Sequence, residues 1–452
     1  MIASEVLFSQ LEDRIDAGFY ATKIHIEEQL KTKALNFEPM ETLCDFPKAK
    51  TPPQDGYIDS GIPVLKLKNI TDYFIDWSEV SFVPERLYSN LFQPKKGDLL
   101  ITATGEGTIG RVNIFDEDKK CIVTGEVMIV RPNPQKVNPY FLLTYLRCKY
   151  GKPLLIRFVR GATGQTHLYS KDVKQILAPI PPPSFQEHVE RLVKEAHEKR
   201  KLADQRYKEA EQLLYKELGI GKLELTRKKT FETTFSEVEK TARFDSEYYQ
   251  PKYDQNIENV RNSKFKNVKL GTLIEGIKYG TSEKVDYSES GIPFLRVTDI
   301  NSFNTIDIED IKRIPEYELS RVKNATIREN EILISRTGTI GCAVYINAKL
   351  KNSIFGSYFI KIKVDKINPL YLSIFLNSQL GKLQTQRETS GAIQTNITIP
   401  IIKSLRIIVP DTEIQDKICD VYMDALQIRD ASRRLIDQAK TEVEELIEGN
   451  RR

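Results

Sequence analysis

Gly105, Gly107 and Gly110, within the stretch TATGEGTIGRVNIF from Thr102 to Phe115, stand in the spacing G-x-G-x-x-G. Glycines so spaced let backbone amides close on a dinucleotide's phosphates, and an acid about 20 residues on, here Glu126, would hold a ribose. That chemistry needs the glycines to open a helix whose first amides face the phosphates. Arg-Val-Asn-Ile-Phe follows instead, and it alternates like a strand. The segment returns as LISRTGTIGCAVYI, Leu333 to Ile346, with Arg336 in place of the first glycine. What survives is Gly-Thr-Ile-Gly. The expectation is a glycine-rich turn between two β-strands, with Gly107 and Gly338 supplying positive φ or room for another backbone.

Asn138-Pro-Tyr-Phe and Asn368-Pro-Leu-Tyr offer a second chemistry, because amino-methyltransferases carry an Asn/Asp-Pro-Pro-Phe/Tyr signature. The second proline is missing both times. Asn138 and Asn368 read better as helix caps, with Pro139 and Pro369 at the first helical position, where a missing amide costs nothing. Cys44, Cys121, Cys148, Cys342 and Cys419 are scattered without C-x-x-C pairing, and the four histidines form no H-E-x-x-H. Metal spacing is therefore absent, and a reduced cytoplasmic setting is expected. The N-terminus acquires acids too early for a signal peptide, and no apolar run approaches the roughly 18 residues of a membrane helix, so no membrane partner is expected.

At 452 residues, two domains with linking helices are the natural arrangement. The net charge of +4, from 67 basic and 63 acidic residues, is mild, so an acidic partner must meet local basic patches. The chain repeats itself. RIDAGFYATKI (Arg14 to Ile24) returns as RFDSEYYQPKY (Arg243 to Tyr253), SGIPVLKLKNI (Ser60 to Ile70) as SGIPFLRVTDI (Ser290 to Ile300), and the glycine turn follows. NPYFLLTYLRCKYGK (Asn138 to Lys152) returns as NPLYLSIFLNSQLGK (Asn368 to Lys382), and RGATGQTHL (Arg160 to Leu168) as SGAIQTNI (Ser390 to Ile397). Order and spacing are kept, which fixes a duplicated unit of strands followed by a capped helix.

After each unit comes a proline-rich break, PIPPPS and VPDTE, and then a long charged helix. Val189, Leu192, Ala196, Ala203, Ala210 and Leu213 fall on an a/d register interrupted by Lys199 and Arg206. Ile414, Ile418, Val421, Ala425, Ile428, Leu435, Ala439 and Leu446 do the same, interrupted by Ser432 and Glu442. Such seams want a partner helix, and alanines allow close approach. Two equivalent helices can pair antiparallel about a pseudo-twofold axis, giving a dumbbell whose rod, of roughly 33 residues, is about 50 Å long. Two surface helices packed each on its own domain are the alternative.

Over essentially its whole length the chain resembles the specificity subunit of Type I restriction-modification enzymes. The residues that carry the likeness are Arg14, Asp16 and Tyr20 with Arg243, Asp245 and Tyr249, the two Ser-Gly-Ile-Pro strands and the two Gly-Thr-Ile-Gly turns. Gly161-Ala162 with Gln165, Gly391-Ala392 with Gln394, and the Gln-Glu-His and Gln-Asp-Lys openings at Gln186 and Gln415 complete the pattern. Gly164 is an extra residue in the first Gly-Ala-Gln loop, so its conformation should differ from the second. The resemblance implies an α+β protein with two repeated mixed α/β target-recognition domains, residues 1–184 and 221–412. Two long antiparallel coiled-coil helices, 185–220 and 413–452, separate them. It further implies that the domains read two halves of a split double-stranded DNA sequence and that the helices act as ruler and as seat for methyltransferase subunits. Restriction or translocase subunits are further expected partners, S-adenosylmethionine belongs in the methyltransferase, and this chain needs no cofactor of its own.

Contacts follow from side-chain chemistry, with Arg and Lys suiting guanine edges and phosphates, Gln and Asn suiting adenine, and hydroxyls suiting either. The candidates are Lys66, Lys68 and Asn69 after the first Ser-Gly-Ile-Pro strand and Arg296, Thr298 and Asp299 after the second. Arg111 and Arg336 flank the glycine turns, and Arg160, Thr163 and Gln165 correspond to Ser390, Gln394 and Asn396. Two other functions compete. A methyltransferase or nuclease in its own right would need a nucleotide-binding strand-turn-helix or a carboxylate cluster, and none is legible. A coiled-coil scaffold would not require two diverged β-rich domains.

Overall fold

In a computed structural model, residues 16–450 are described apart from 72, 78–79, 106, 162–165, 222, 224–226, 310 and 390–395. The chain divides into two compact units, one running to Lys201 and resuming at Ile428, the other from Leu202 to Gln427.

Each unit has the same strands in the same order. In the first, a four-stranded antiparallel sheet is ordered Cys44–Asp45, Val127–Pro132, Leu99–Thr102, Val112–Ile114. In the second the order is Ile274–Tyr279, Phe359–Val364, Ile332–Ser335, Ala343–Tyr345. The Ser-Gly-Ile-Pro strands, Ile62–Leu65 and Ile292–Leu295, each centre a three-stranded sheet. Each pairs antiparallel with Ser81–Val83 or Arg313–Ile314 and parallel with Ile122–Val123 or Ile354–Phe355. The content is mixed α+β, as the resemblance implies.

The cap reading holds at both asparagines. Asn138 Oδ1 accepts from the amides of Tyr140 and Phe141, and Asn368 Oδ1 from those of Leu370 and Tyr371, opening helices Pro139–Arg147 and Pro369–Asn377. The glutamines that open the long helices complete the joint. Gln186 Oε1 accepts from Asn138 N at 2.8 Å while its Nε2 donates to Pro181 O at 2.9 Å. Gln415 does the same with Asn368 N at 2.9 Å and Pro410 O at 2.8 Å. Both amides are buried, so each must be fully bonded, and here each ties a long helix to a domain helix.

The long helices are Pro183–Leu218 and Thr412–Glu448, of 36 and 37 residues. The unit boundary falls inside both, so each unit takes half of each helix into its own core. In the first unit Val189, Val193 and Ala196 share a cluster with Ile436, Ala439, Val443 and Ile447. His188 meets Glu442 at 2.7 Å and Ser432 Oγ donates to Ala196 O at 2.6 Å, which makes the halves antiparallel. In the second, Ala210, Leu214 and Leu218 share a cluster with Ile418 and Tyr422. Arg206 pairs with Asp424 and Lys417 with Glu217, again antiparallel. Three of the four interruptions read in the seam, Arg206, Ser432 and Glu442, therefore bond across it. The a/d register is too narrow: Val193, Leu214, Val443 and Ile447 are fully buried, whereas Leu213 and Leu435 are partly so. These helices pack on a domain as well as on each other, which widens the apolar stripe. No described helix is long and apolar enough to cross a membrane, and all five cysteines are buried and unpaired.

Candidate nucleic-acid interface

The glycine turn is pinned from below by a hydroxyl that the sequence did not flag. In the first unit Thr102 Oγ1 donates to Thr108 O and accepts from Arg111 N at 3.0 Å. In the second Ser335 Oγ donates to Thr339 O and accepts from Cys342 N at 3.0 Å. The loop returns to a strand both times, so no helix opens at the glycines. Gly107 and Gly338 have φ of 74° and 68°, and a side chain at Gly107 would meet open space, so backbone conformation alone requires them. The signal was present as a hydroxyl residue ending each strand.

Three of the repeated blocks meet at this turn in each unit. Gly105 lies against Leu67 and Gly338 against Val297, so the turn abuts the segment after the Ser-Gly-Ile-Pro strand. Leu168 N donates to Ala103 O, and Ile397 N to Arg336 O, so the end of each Gly-Ala-Gln block pairs with the start of the turn. The strand end, the turn and the described residues that close each Gly-Ala-Gln block thus adjoin one another in each unit.

Within these segments the named residues divide. Asn69 is buried, with Oδ1 accepting from Lys66 N at 2.9 Å and Nδ2 donating to Asp76 O at 2.9 Å. Asp299 accepts from Arg296 N at 2.8 Å and from its guanidinium at 2.6 Å. Both side chains hold the strand-end turn, and the Asp299 carboxylate keeps the Arg296 guanidinium more firmly protonated than usual. Lys66 lies 4.0 Å over the Tyr57 ring, and Lys68 and Thr298 are exposed. Arg160 is half-buried and ion-paired with buried Asp172 at 2.8 Å, which ties the entrance of its loop to the short helix Ser170–Val173. Arg336 lies 4.9 Å over the Tyr279 ring, with Nη1 near Ser357 O at 3.4 Å. Asn396 is exposed. Thr163, Gln165, Ser390 and Gln394, and the extra Gly164, lie outside the described residues.

Arg111 and Arg336 do flank the two turns, but Arg336 does not stand opposite Gly105, where the sequence spacing sets it. Ala103 N donates to Glu126 O as Arg336 N donates to Tyr358 O, and Arg111 N bonds Thr102 as Cys342 N bonds Ser335. Arg336 therefore stands where the first unit has Ala103, and Arg111 where the second has Cys342. The turn is longer in the first unit, its hydroxyl reaching a carbonyl six residues on rather than four. Each turn carries one arginine, on opposite sides.

Residues 43–212 and 262–444 match the family model described as Type I restriction modification DNA specificity domain. The chain is 22% identical over 396 residues to a protein named for the MjaX type I restriction enzyme specificity subunit of Methanocaldococcus jannaschii, covering 86% of each. It is 22% identical over 171 residues to the EcoBI specificity subunit of Escherichia coli, covering 38% of this chain and 36% of that one. A crystal structure of the S subunit of a Type I restriction-modification system from M. genitalium aligns with a TM-score of 0.43 and 12% identity, over 92% of this chain and 96% of that one. Two matched copies, spanning most of the chain and containing the turns, strand ends and capped helices just described, lead to one conclusion: the chain belongs to the Type I restriction-modification specificity family.

Proposed function

We propose that each unit reads one half of a bipartite, asymmetric double-stranded DNA site, while the long helices set the spacer between halves and seat methyltransferase subunits. The observation that carries this reading is that strand end, glycine turn and the close of the Gly-Ala-Gln block adjoin one another in each unit, with the frame repeated and the exposed residues different. Two unlike readers on one chain suit a ligand with two unlike features. Lys66, Lys68 and Arg111 in the first unit, and Thr298, Arg336 and Asn396 in the second, are the groups we assign to DNA, with Lys68 as a phosphate contact and Lys66, the arginines and asparagine as readers of base edges. Asn69 and Asp299 hold the surface and do not touch the duplex. Methyl transfer, with S-adenosylmethionine, belongs to a separate methyltransferase subunit, and this chain contributes sequence choice. Restriction or translocase subunits join the same assembly.

The test is to map modified bases made by the full chain together with its methyltransferase. Arg336→Ala should alter base preference within one half only, and exchange of Lys66-Leu67-Lys68 for Arg-Val-Thr should alter the other. A change spread over both halves from either substitution would sink the modular reading. Lys68→Ala should weaken binding by a similar factor on all sequences, as phosphate contacts do.

A further inference from the structure

Below the second unit's glycine turn, a chain of polar contacts runs to the long helices. Asn304 Nδ2 donates to Tyr207 Oη at 2.6 Å, and Tyr207 belongs to the first long helix. Cys342 Sγ donates to Asn304 Oδ1 at 3.1 Å. Cys342 N in turn donates to the Ser335 hydroxyl that pins the turn. From the second long helix, Tyr422 Oη donates to Phe303 O at 2.9 Å, and the Phe303 ring meets Tyr207 edge-on at 5.1 Å. Phe303 and Cys342 are buried, so these bonds form away from water, where an unmade partner is costly. Asn304 adopts φ of 55°, a conformation that asparagine tolerates better than most residues.

Among its described residues the first unit shows no such path. At the helix offset fixed by Gln186 and Gln415, Tyr422 corresponds to Val193 and Tyr207 to Ile436, both buried and without a hydroxyl. Its equivalent loop is held by arginines over rings, Arg200 at 3.8 Å from Phe74 and Arg433 at 5.3 Å from Tyr73. Arg111 stands where Cys342 would relay.

We infer that Tyr207, Asn304 and Cys342 are positioning residues for sequence reading by the second unit alone, transmitting the register of the long helices to the turn that carries Arg336. The inference rests on the DNA-reading function proposed above. A turn held by one relay from a rigid helix presents Arg336 at a fixed height, and discrimination between bases depends on such placement.

The experiment maps modified sites, and competes duplexes degenerate in one half, with the full chain and its methyltransferase. Tyr207→Phe should lower the preference for the correct bases in the Arg336-dependent half by about threefold to tenfold, the range one lost buried hydrogen bond carries. Preference in the other half should stay unchanged. Cys342→Ala should behave likewise, and Cys342→Ser, which keeps a donor, should retain wild-type preference. Thermal melting of each variant reports folding separately. If Arg336→Ala alters one half while Tyr207→Phe and Cys342→Ala alter neither, or relax both halves alike, the relay is overturned and the DNA reading stands. If Arg336→Ala alters neither half, the reading function falls and the relay with it.

Discussion

In the first unit the glycine turn leaves Thr102 and is tied to the carbonyl of Thr108, whereas in the second it leaves Ser335 and is tied to Thr339, a tighter loop on the same kind of hydroxyl. The first carries its arginine on the exit side, the second on the entry side. Around them the sheets agree strand for strand. The difference teaches that the frame is fixed by a few short-range bonds, two hydroxyls and two capping asparagines, while loop length and cargo are free to diverge. A duplicated frame can change its loops without changing how it stands.

The comparison is broken most severely where both units rely on close backbone approach. A side chain at Gly151 would come within 2.1 Å of Tyr145 O, and one at Gly381 within 2.4 Å of Leu376 O. Gly151→Ala and Gly381→Ala should each cost about 3 kcal/mol or more of unfolding free energy, since backbone cannot retreat as a flexible side chain can. Denaturant titration checks this, and an innocuous alanine at either would show that the two helix junctions are not equivalent.

An acid-dependent difference comes next. His197 is largely buried, its Nε2 has no hydrogen-bond partner, and burial followed by the Arg147 charge pushes its pKa down to about 4. At the helix offset its counterpart is Leu426. A depressed histidine pKa means that the unfolded chain binds the proton first. Its stabilisation is complete above about pH 6.5 and is lost as pH falls toward 4, by up to about 3 kcal/mol. The single tryptophan, Trp77, belongs to the first unit and reports its unfolding. Acid midpoints followed by its fluorescence should shift in the wild type and flatten in His197→Leu.

Buried ion pairs sharpen the comparison further. Asp98, 1% exposed at its side chain, holds Arg131 through bonds of 2.7 and 2.8 Å, and Glu331 at the equivalent strand start holds Lys361 at 2.8 Å. Both acids also accept a backbone amide three residues earlier. Asp98→Asn should cost about 2–3 kcal/mol and Glu331→Gln somewhat less, because a guanidinium donating through two nitrogens loses more than one ammonium set between two carboxylate oxygens. Equal losses in urea titration would contradict that ranking. The smallest effect is Thr102→Val and Ser335→Ala, about 1 kcal/mol each, read most sensitively as relaxed base preference in one half apiece.

Much of this was legible in the sequence because its signals are local. The caps at Asn138 and Asn368, the strand-to-strand glycine turn and the paired long helices rest on spacing and repetition, and each is found. The true counterparts of Arg336 and Arg111, Ala103 and Cys342, were not legible. A constant offset aligns Gly107 with Gly338 but hides the added turn length on one side, and only hydrogen bonds to Glu126 and Tyr358 expose it. The same holds for Asn69 and Asp299: side-chain type suggests readers, whereas burial and bonds to Lys66 and Arg296 make them supports. The path from Tyr207 to Cys342 joins residues more than a hundred positions apart, beyond any local pattern.

The boundary between units inside both long helices also orders events during synthesis. The second unit is one unbroken stretch, Leu202 to Gln427, and can close as soon as it has been made. The first cannot, because its core includes Ile436, Ala439, Val443 and Ile447. Its early residues must wait, with apolar surface uncovered, until the last helix emerges, which closes a loop longer than the whole second unit and slows folding accordingly. The half of the protein that is translated first is therefore the half that finishes last.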